Sequence, residues 1–147
     1  MQKSSAGFDV SVPEFFWPLT VGATVRLIRP GGDKDVEYLA GILSSEPVGF
    51  VEFVPVVFQA IVATGFDPAS SRLRHLSLGA DVLPTGLARS LEGSGINVWN
   101  TYGPTEAAVE TVGFALKDFD PEGETVPIGR PVWNTSVVVL DSWLRPV

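Results

Sequence analysis

The stretch WNTYGPTEAAVE, residues 99–110, decides how the rest of the chain is read. It follows an apolar run at 96–99 that reads as a buried strand, and its Gly103-Pro104 pair forces a sharp turn. Past the turn, Thr105 and Glu106 fall where a helix would start, so unpaired backbone N–H groups and the helix dipole would favour an anion there. A hydroxyl beside a carboxylate suits a phosphate oxygen and a Mg2+ ion held together. Asn100 brings a donor and an acceptor for a base edge, and Tyr102 a flat face for stacking. The same residues equally describe a plain polar turn between strand and helix, with Thr105 as its cap.

Working outward, the chain alternates strand and helix signals. Gly7-Phe8-Asp9-Val10-Ser11 is a turn feeding an apolar helix, with Asp9 or Ser11 as cap, Pro13 in the first turn and Glu14 near the positive end of the dipole. Pro18 should shorten or kink that helix and Gly22 end it. Residues 23–28 are rich in β-formers and read as a strand, and Val36, Leu39, Ala40 and Leu43 recur at helical spacing over 35–44. A strand at 50–54, a helix at 56–64 opened by Pro55, a strand at 75–79 and a helix from Pro84 to about Leu91 lead back to the strand before Tyr102. Such alternation with continuously apolar strands implies an α/β fold, a largely parallel sheet with helices on both faces. Beyond Glu110 two further strands are expected, at 111–116 and 135–141, joined by an acidic Pro/Gly loop. Ligands of open α/β sheets gather at the carboxyl ends of the strands, which here carry Glu52, residues 77–79 and residues 100–106.

Composition narrows the chemistry. The 147 residues are of single-domain size, with no internal repeat or linker, and can bury a sizeable core. Hydrophobic residues make up 45%, charged residues only 18%, and mean hydropathy is +0.25, which suits a piece of a larger domain. The net charge of −7 with scattered basic residues argues against nucleic acid. With no cysteine there is no disulfide, thiol catalysis or thiolate metal site, and the single histidine, His75, makes a histidine cluster impossible. Residues 1–5 lead into no apolar signal segment, and the run 48–63 is interrupted by Glu52, Pro55 and Gln59 and too short for a bilayer, so a cytoplasmic, non-membrane protein is expected.

The motif NTYGPTE resembles the adenine- and Mg-ATP-binding motif of the adenylate-forming (AMP-binding) superfamily, in the version found in amino-acid adenylation domains of nonribosomal peptide synthetases. QKSSAGFDVSVPEFFWPLTVGA at the start, VEFVPVVFQAIV and LRHLSLGADVLP in the middle and VPIGRPVWNTSVVVLDSWLRPV at the end agree with it in order and spacing. The resemblance covers essentially the whole chain and implies part of the large N-terminal subdomain. The Gly/Ser/Thr-rich phosphate loop, the ribose-binding Asp and the catalytic Lys of the family have no counterpart here, so residues 1–147 are expected to be a fragment, also lacking the C-terminal subdomain. The rival readings are a truncated binding or scaffold protein, or a fragment of an acyl-CoA ligase.

The resemblance implies a two-step reaction: ATP and an amino acid give an aminoacyl-adenylate, which the phosphopantetheine thiol of a peptidyl carrier protein then accepts, beside a condensation domain. It places Thr105 on the α-phosphate, Glu106 on Mg2+, Asn100 on adenine, Tyr102 packed against it, Thr101 and Gly103 in the same turn, and Gly79-Ala80-Asp81 as the turn over which adenine lies. Asp9, in Phe8-Asp9-Val10-Ser11, matches the partner of the substrate's α-ammonium, which argues against acids lacking an α-amine. The side-chain pocket maps to Val10, Pro13, Glu52, Ser77, Gly79, Thr101, Val109 and Glu110. Two carboxylates in a small apolar pocket call for a cationic side chain, since each buried alone would cost several kcal/mol or take up a proton. A basic amino acid is therefore expected, unless Glu110 turns away or pairs with Arg26 or Arg130. His75 takes no role, and Trp17, Trp133 and Trp143 read as packing residues.

Overall fold

The computed structural model describes residues 1–119 and 123–147. The expected acidic Pro/Gly loop falls partly outside them, at residues 120–122. Five strands form one open mixed sheet in the order of the sequence: β1 (Phe50–Phe53), β2 (His75–Gly79), β3 (Asn97–Tyr102), β4 (Val112–Ala115) and β5 (Arg130–Pro131). β1, β2 and β3 run parallel, while β4 and β5 add antiparallel. This is the expected parallel sheet with extra strands at the C-terminal side.

The two faces of the sheet differ because side chains alternate along each strand. Val51, Phe53, Leu76, Leu78 and Val98 point to one face and are all buried in the core. α3 (Pro55–Ala63) and α4 (Thr85–Ser90) make the two crossovers and cover that face, with Phe58 of α3 meeting Phe53 at 5.9 Å between ring centroids. α2 (Val36–Ser45) packs outside α3 through Leu39 and Leu43, and Asp35 caps it by accepting the Tyr38 N–H at 3.0 Å. Each of these large side chains contributes roughly 1.5–3 kcal/mol by leaving water. The opposite face carries Phe50, Glu52, Ser77 and Trp99 in register. There α1 (Ser11–Thr20) sets Trp17 edge-on against Phe50 at 4.9 Å, so helices do lie on both faces.

Four local expectations need correction. Residues 23–28 do not form a strand: they make a single parallel bridge, Gln2 to Leu27, because β-propensity needs a partner and only residues 1–3 run alongside. Residues 135–141 likewise have a single bridge, Leu140 to Pro146, and their Val137, Val138 and Val139 are exposed. Neither Asp9 nor Ser11 caps α1 through its side chain; the cap position is Val10, and the Asp9 carboxylate accepts the Val10 N–H at 2.9 Å. Finally, no helix starts at Thr105. Thr105–Ala107 is one 3-10 turn, and the chain then enters left-handed backbone at Ala108 and Val109, so no aligned dipole is available there. α1 runs through Pro18 and ends two residues later, just before Gly22 at φ +70°.

Candidate functional site

The pocket is built on the polar face of the sheet. Pairing of β1 with β2 puts Glu52 beside Ser77, and pairing of β2 with β3 puts Gly79 beside Thr101, one step on toward the carboxyl ends. A Cβ on Gly79 would lie 2.6 Å from the Thr101 hydroxyl and 3.6 Å from Glu52 Oε1, so the missing side chain leaves the space between them open. Ser77 Oγ donates to Glu110 Oε1 at 3.0 Å and lies 2.8 Å from Thr101 Oγ1. A serine has one hydroxyl proton. Since Glu110 receives it, Thr101 donates to Ser77, and both hydroxyl protons point along one relay toward Glu110.

The loop after β3 brings Glu110 to this face. Gly103 is packed so tightly that a Cβ there would sit 2.2 Å from the Val109 carbonyl and 2.8 Å from Glu110 Cα. The Thr111 N–H donates to the Tyr102 carbonyl at 2.9 Å and closes the loop. Ala108 (φ 62°) and Val109 (φ 76°) hold strained backbone inside it, on the order of 1–3 kcal/mol per residue. The same nine residues thus carry Thr105 and Glu106 outward and Val109 and Glu110 toward the pocket.

Glu52 stands differently from Glu110. It is 8% exposed and, among the described residues, makes no hydrogen bond or ion pair. Burial, then the Glu110 carboxylate, push its carboxyl up to about 7, with Glu14 and Asp9 adding in the same direction and Lys3 opposing. Asp9, Val10 and Pro13 at the start of α1 are half-buried. Arg26 does not reach Glu110; it holds Glu46 at 2.6 and 2.7 Å, and Arg130 makes no ion pair with Glu110.

The nucleotide candidates sit at the carboxyl ends of β2 and β3. Ala80 takes a left-handed φ of 65°, and Asp81, exposed, accepts the Val82 N–H at 2.7 Å. Tyr102, Thr105 and Glu106 are exposed, and the Thr105 and Glu106 side chains have no partner among the described residues. Asn100 lies on the other face of the sheet, buried, with its amide nitrogen donating to the carbonyls of Pro127 at 2.8 Å and Val126 at 3.2 Å. Its donors are used inside the protein, which leaves Oδ1 as the group for a base edge.

Glu14, which the sequence reading did not count among the site residues, is fixed to the first residues of the chain. Glu14 is 2% exposed and accepts from the Lys3 and Ser4 N–H groups, from Ser4 Oγ at 3.0 Å, and pairs with Lys3 Nζ at 3.3 Å. A contact spanning 10 or 11 positions, with no periodicity behind it, leaves no signal in the chain itself. Two grooves of ≈ 590 and ≈ 600 Å3, one between α2 and α3 and one around the start of β3, carry none of the carboxylates above.

The family model described as AMP-binding enzyme matches residues 1–147. The chain belongs to the AMP-binding enzyme family. Its relatives place it among nonribosomal peptide synthetases. It is 42% identical to phosphinothricin tripeptide synthetase PhsB of Streptomyces viridochromogenes and 36% identical to enterobactin synthase component F of Escherichia coli. Those matches take in 100% and 99% of the chain but only 12% of each relative. In structure it is similar to the nonribosomal peptide synthetase FmoA3, with a TM-score of 0.85 at 28% identity over 99% of this chain and 16% of FmoA3, which is also known in an AMPPNP-bound form. No helix among the described residues is long and apolar enough to cross a membrane.

Proposed function

We propose that this chain is the amino-acid-reading part of a larger adenylation domain, and that its amino acid is basic, of the ornithine, lysine or arginine kind, modified or not. The observation that carries this is the pair Glu52 and Glu110 on one small polar face, bounded by Gly79, Ser77 and Thr101 and with no cation paired to either among the described residues. An apolar side chain would leave both carboxylates without a cation, at a desolvation cost that is largest for buried Glu52. An ammonium or guanidinium removes that cost.

In this reading the substrate carboxylate attacks the α-phosphorus of ATP, pyrophosphate leaves, and an aminoacyl-adenylate forms. A phosphopantetheine thiol on a carrier protein then attacks the acyl carbon and AMP leaves. No protein nucleophile is required, so catalysis is positioning and charge stabilisation. Asp9 pairs with the α-ammonium and fixes the reacting carboxylate; Val10, Pro13 and Val109 line the approach. Thr105 offers its hydroxyl to the α-phosphate. The carboxylate of Glu106, unengaged among the described residues, fits a Mg2+ ion held by one carboxylate and substrate phosphates. That ion, when bound, supplies neutralising charge on the phosphate oxygens. Asn100 Oδ1 accepts from the adenine amine, Tyr102 packs against the base, and Gly79-Ala80-Asp81 passes beneath it. The phosphate loop, a ribose-binding Asp and a catalytic Lys belong to the parts of the domain outside this chain. The ATP-dependent work belongs in the cytoplasm, with no nucleic acid or membrane partner.

The test is an ATP–pyrophosphate exchange panel over the amino acids, run on the intact polypeptide that carries this chain. Ornithine, lysine or arginine is expected to lead. Glu52→Ala should weaken its use roughly 30-fold or more, since removing one partner of a buried charge pair costs ~2–5 kcal/mol. A preference for leucine or phenylalanine over all three would remove the assignment.

A further inference from the structure

The space beside Gly79 has a polarity as well as a shape. The three atoms nearest to where its side chain would begin are all oxygens. They are Thr101 Oγ1 at 2.6 Å, the Thr101 carbonyl at 3.1 Å and Glu52 Oε1 at 3.6 Å. A carbonyl and an ionised carboxylate only accept hydrogen bonds, so the Thr101 hydroxyl alone among the three could donate one.

Ser77 settles where that proton goes. Its own hydroxyl proton is given to Glu110 Oε1 at 3.0 Å, so its contact with Thr101 Oγ1 at 2.8 Å requires Thr101 to donate. The direction is fixed from the far end, because an ionised carboxylate takes protons and has none to give. Both hydroxyl protons in the row therefore point away from Gly79, and Thr101 Oγ1 turns a lone pair toward the gap.

We propose that the Thr101–Ser77–Glu110 row makes the gap beside Gly79 acceptor-only, so that the pocket turns away side chains ending in a carbonyl and takes those ending in donors alone. This rests on the reading of that face as the seat of a basic side chain, and adds to it a selection that charge does not supply. An ammonium or a guanidinium brings N–H donors and no acceptor. A terminal amide or urea brings N–H donors as well, but its oxygen enters a space where no proton meets it. That oxygen loses the hydrogen bond it had in water and gains none. Thr101 and Ser77 thus determine specificity through the direction of their protons, which their positions alone do not reveal.

Each basic amino acid has a neutral counterpart of the same length with a carbonyl at its end: glutamine for ornithine, homoglutamine for lysine and citrulline for arginine. Pyrophosphate exchange by the intact polypeptide compares them. The assay runs at pH 8, above the value of about 7 to which burial raises the Glu52 carboxyl, so that Glu52 carries no proton. In Ser77→Ala both carboxylates keep their charge, but the Thr101 proton loses its acceptor and turns into the gap. The kcat/KM for the amide or urea should then rise by roughly three- to tenfold. In Ser77→Ala/Thr101→Val the gain should vanish, because the proton released is that of Thr101. Glu110→Gln is a second route: its amide donates to Ser77, the row reverses, and Thr101 again donates into the gap. The same rise is expected there, which decides the matter if Ser77→Ala does not fold. No rise in the folded variants, or a rise that survives Thr101→Val, overturns the proposal. If the parent rejects ornithine, lysine and arginine while the amides gain in Ser77→Ala, the basic-amino-acid reading fails and the polarity of the gap stands.

Discussion

Replacing Glu52 by Gln should make the protein more stable, and only at the pH values where the carboxylate is ionised. Glu52 sits 8% exposed without a hydrogen bond or ion pair among the described residues, and its folded-state carboxyl is raised from 4.5 to about 7. A raised carboxyl disfavours the charged form in the folded state, so the unfolded chain loses its proton first as pH rises. Below 4.5 both states are protonated and the group costs nothing; between 4.5 and about 7 the cost grows; above 7 it is complete. At 1.36 kcal/mol per unit this amounts to about 3 kcal/mol at pH 8 and less than about 1 kcal/mol at pH 5. Gln keeps the shape and cannot ionise, so it removes the cost. Thermal melts of the intact polypeptide and of Glu52→Gln, ligand-free, from pH 5 to 8 read the effect directly. The variant should melt several degrees higher at pH 8 and nearly level with the parent at pH 5. A variant that melts lower at pH 8, or a difference that does not change with pH, would refute the reasoning. Saturating basic amino acid should narrow the gap at pH 8, because the bound cation stabilises the parent by mass action and has one carboxylate fewer in the variant.

Glu106 is exposed and unpartnered, so Glu106→Gln should depress pyrophosphate exchange strongly while leaving the melting temperature within a degree or so of the parent. Gly103→Ala drives a Cβ to 2.2 Å from a backbone carbonyl, which no rotamer relieves; the loop must move, costing on the order of 1–3 kcal/mol and impairing nucleotide and amino acid use together, as their separate KM values would show. Ser77→Ala removes the donor to Glu110 Oε1 at 3.0 Å, and should raise the KM for the amino acid with little change in that for ATP.

How much of this was legible beforehand depends on the range of the interaction. The alternation of apolar runs with Pro- and Gly-marked turns was enough for β1, β2, β3 and the helices between them, because buried parallel strands and their crossovers are local patterns of polarity. The motif residues 99–110 fall in β3 and the loop at its carboxyl end, where the alternation placed them. Where a reading relied on propensity alone it failed: residues 23–28 and 135–141 are rich in β-formers, yet a strand exists only where a partner strand lies alongside, and few residues do. The helix expected at Thr105 failed for a related reason: the Val109 backbone packs against Gly103, and the chain turns left-handed at Ala108, directly after the single turn Thr105–Ala107.

The sequence by itself determined which residue types reach the pocket, because the period of a strand puts Glu52, Ser77, Gly79 and Thr101 on one face whatever surrounds them. It also determined the family, through motifs in a set order. Only the tertiary structure decided the electrical state of that pocket. Glu110 is served by the Ser77 hydroxyl and Glu52 is not, Asn100 has turned its donors into the opposite face, and Lys3 is held on Glu14 against the back of β1. Charges act over distances of several ångströms through a medium whose polarity depends on burial, so the protonation of a carboxylate is a property of everything folded around it and of no segment alone.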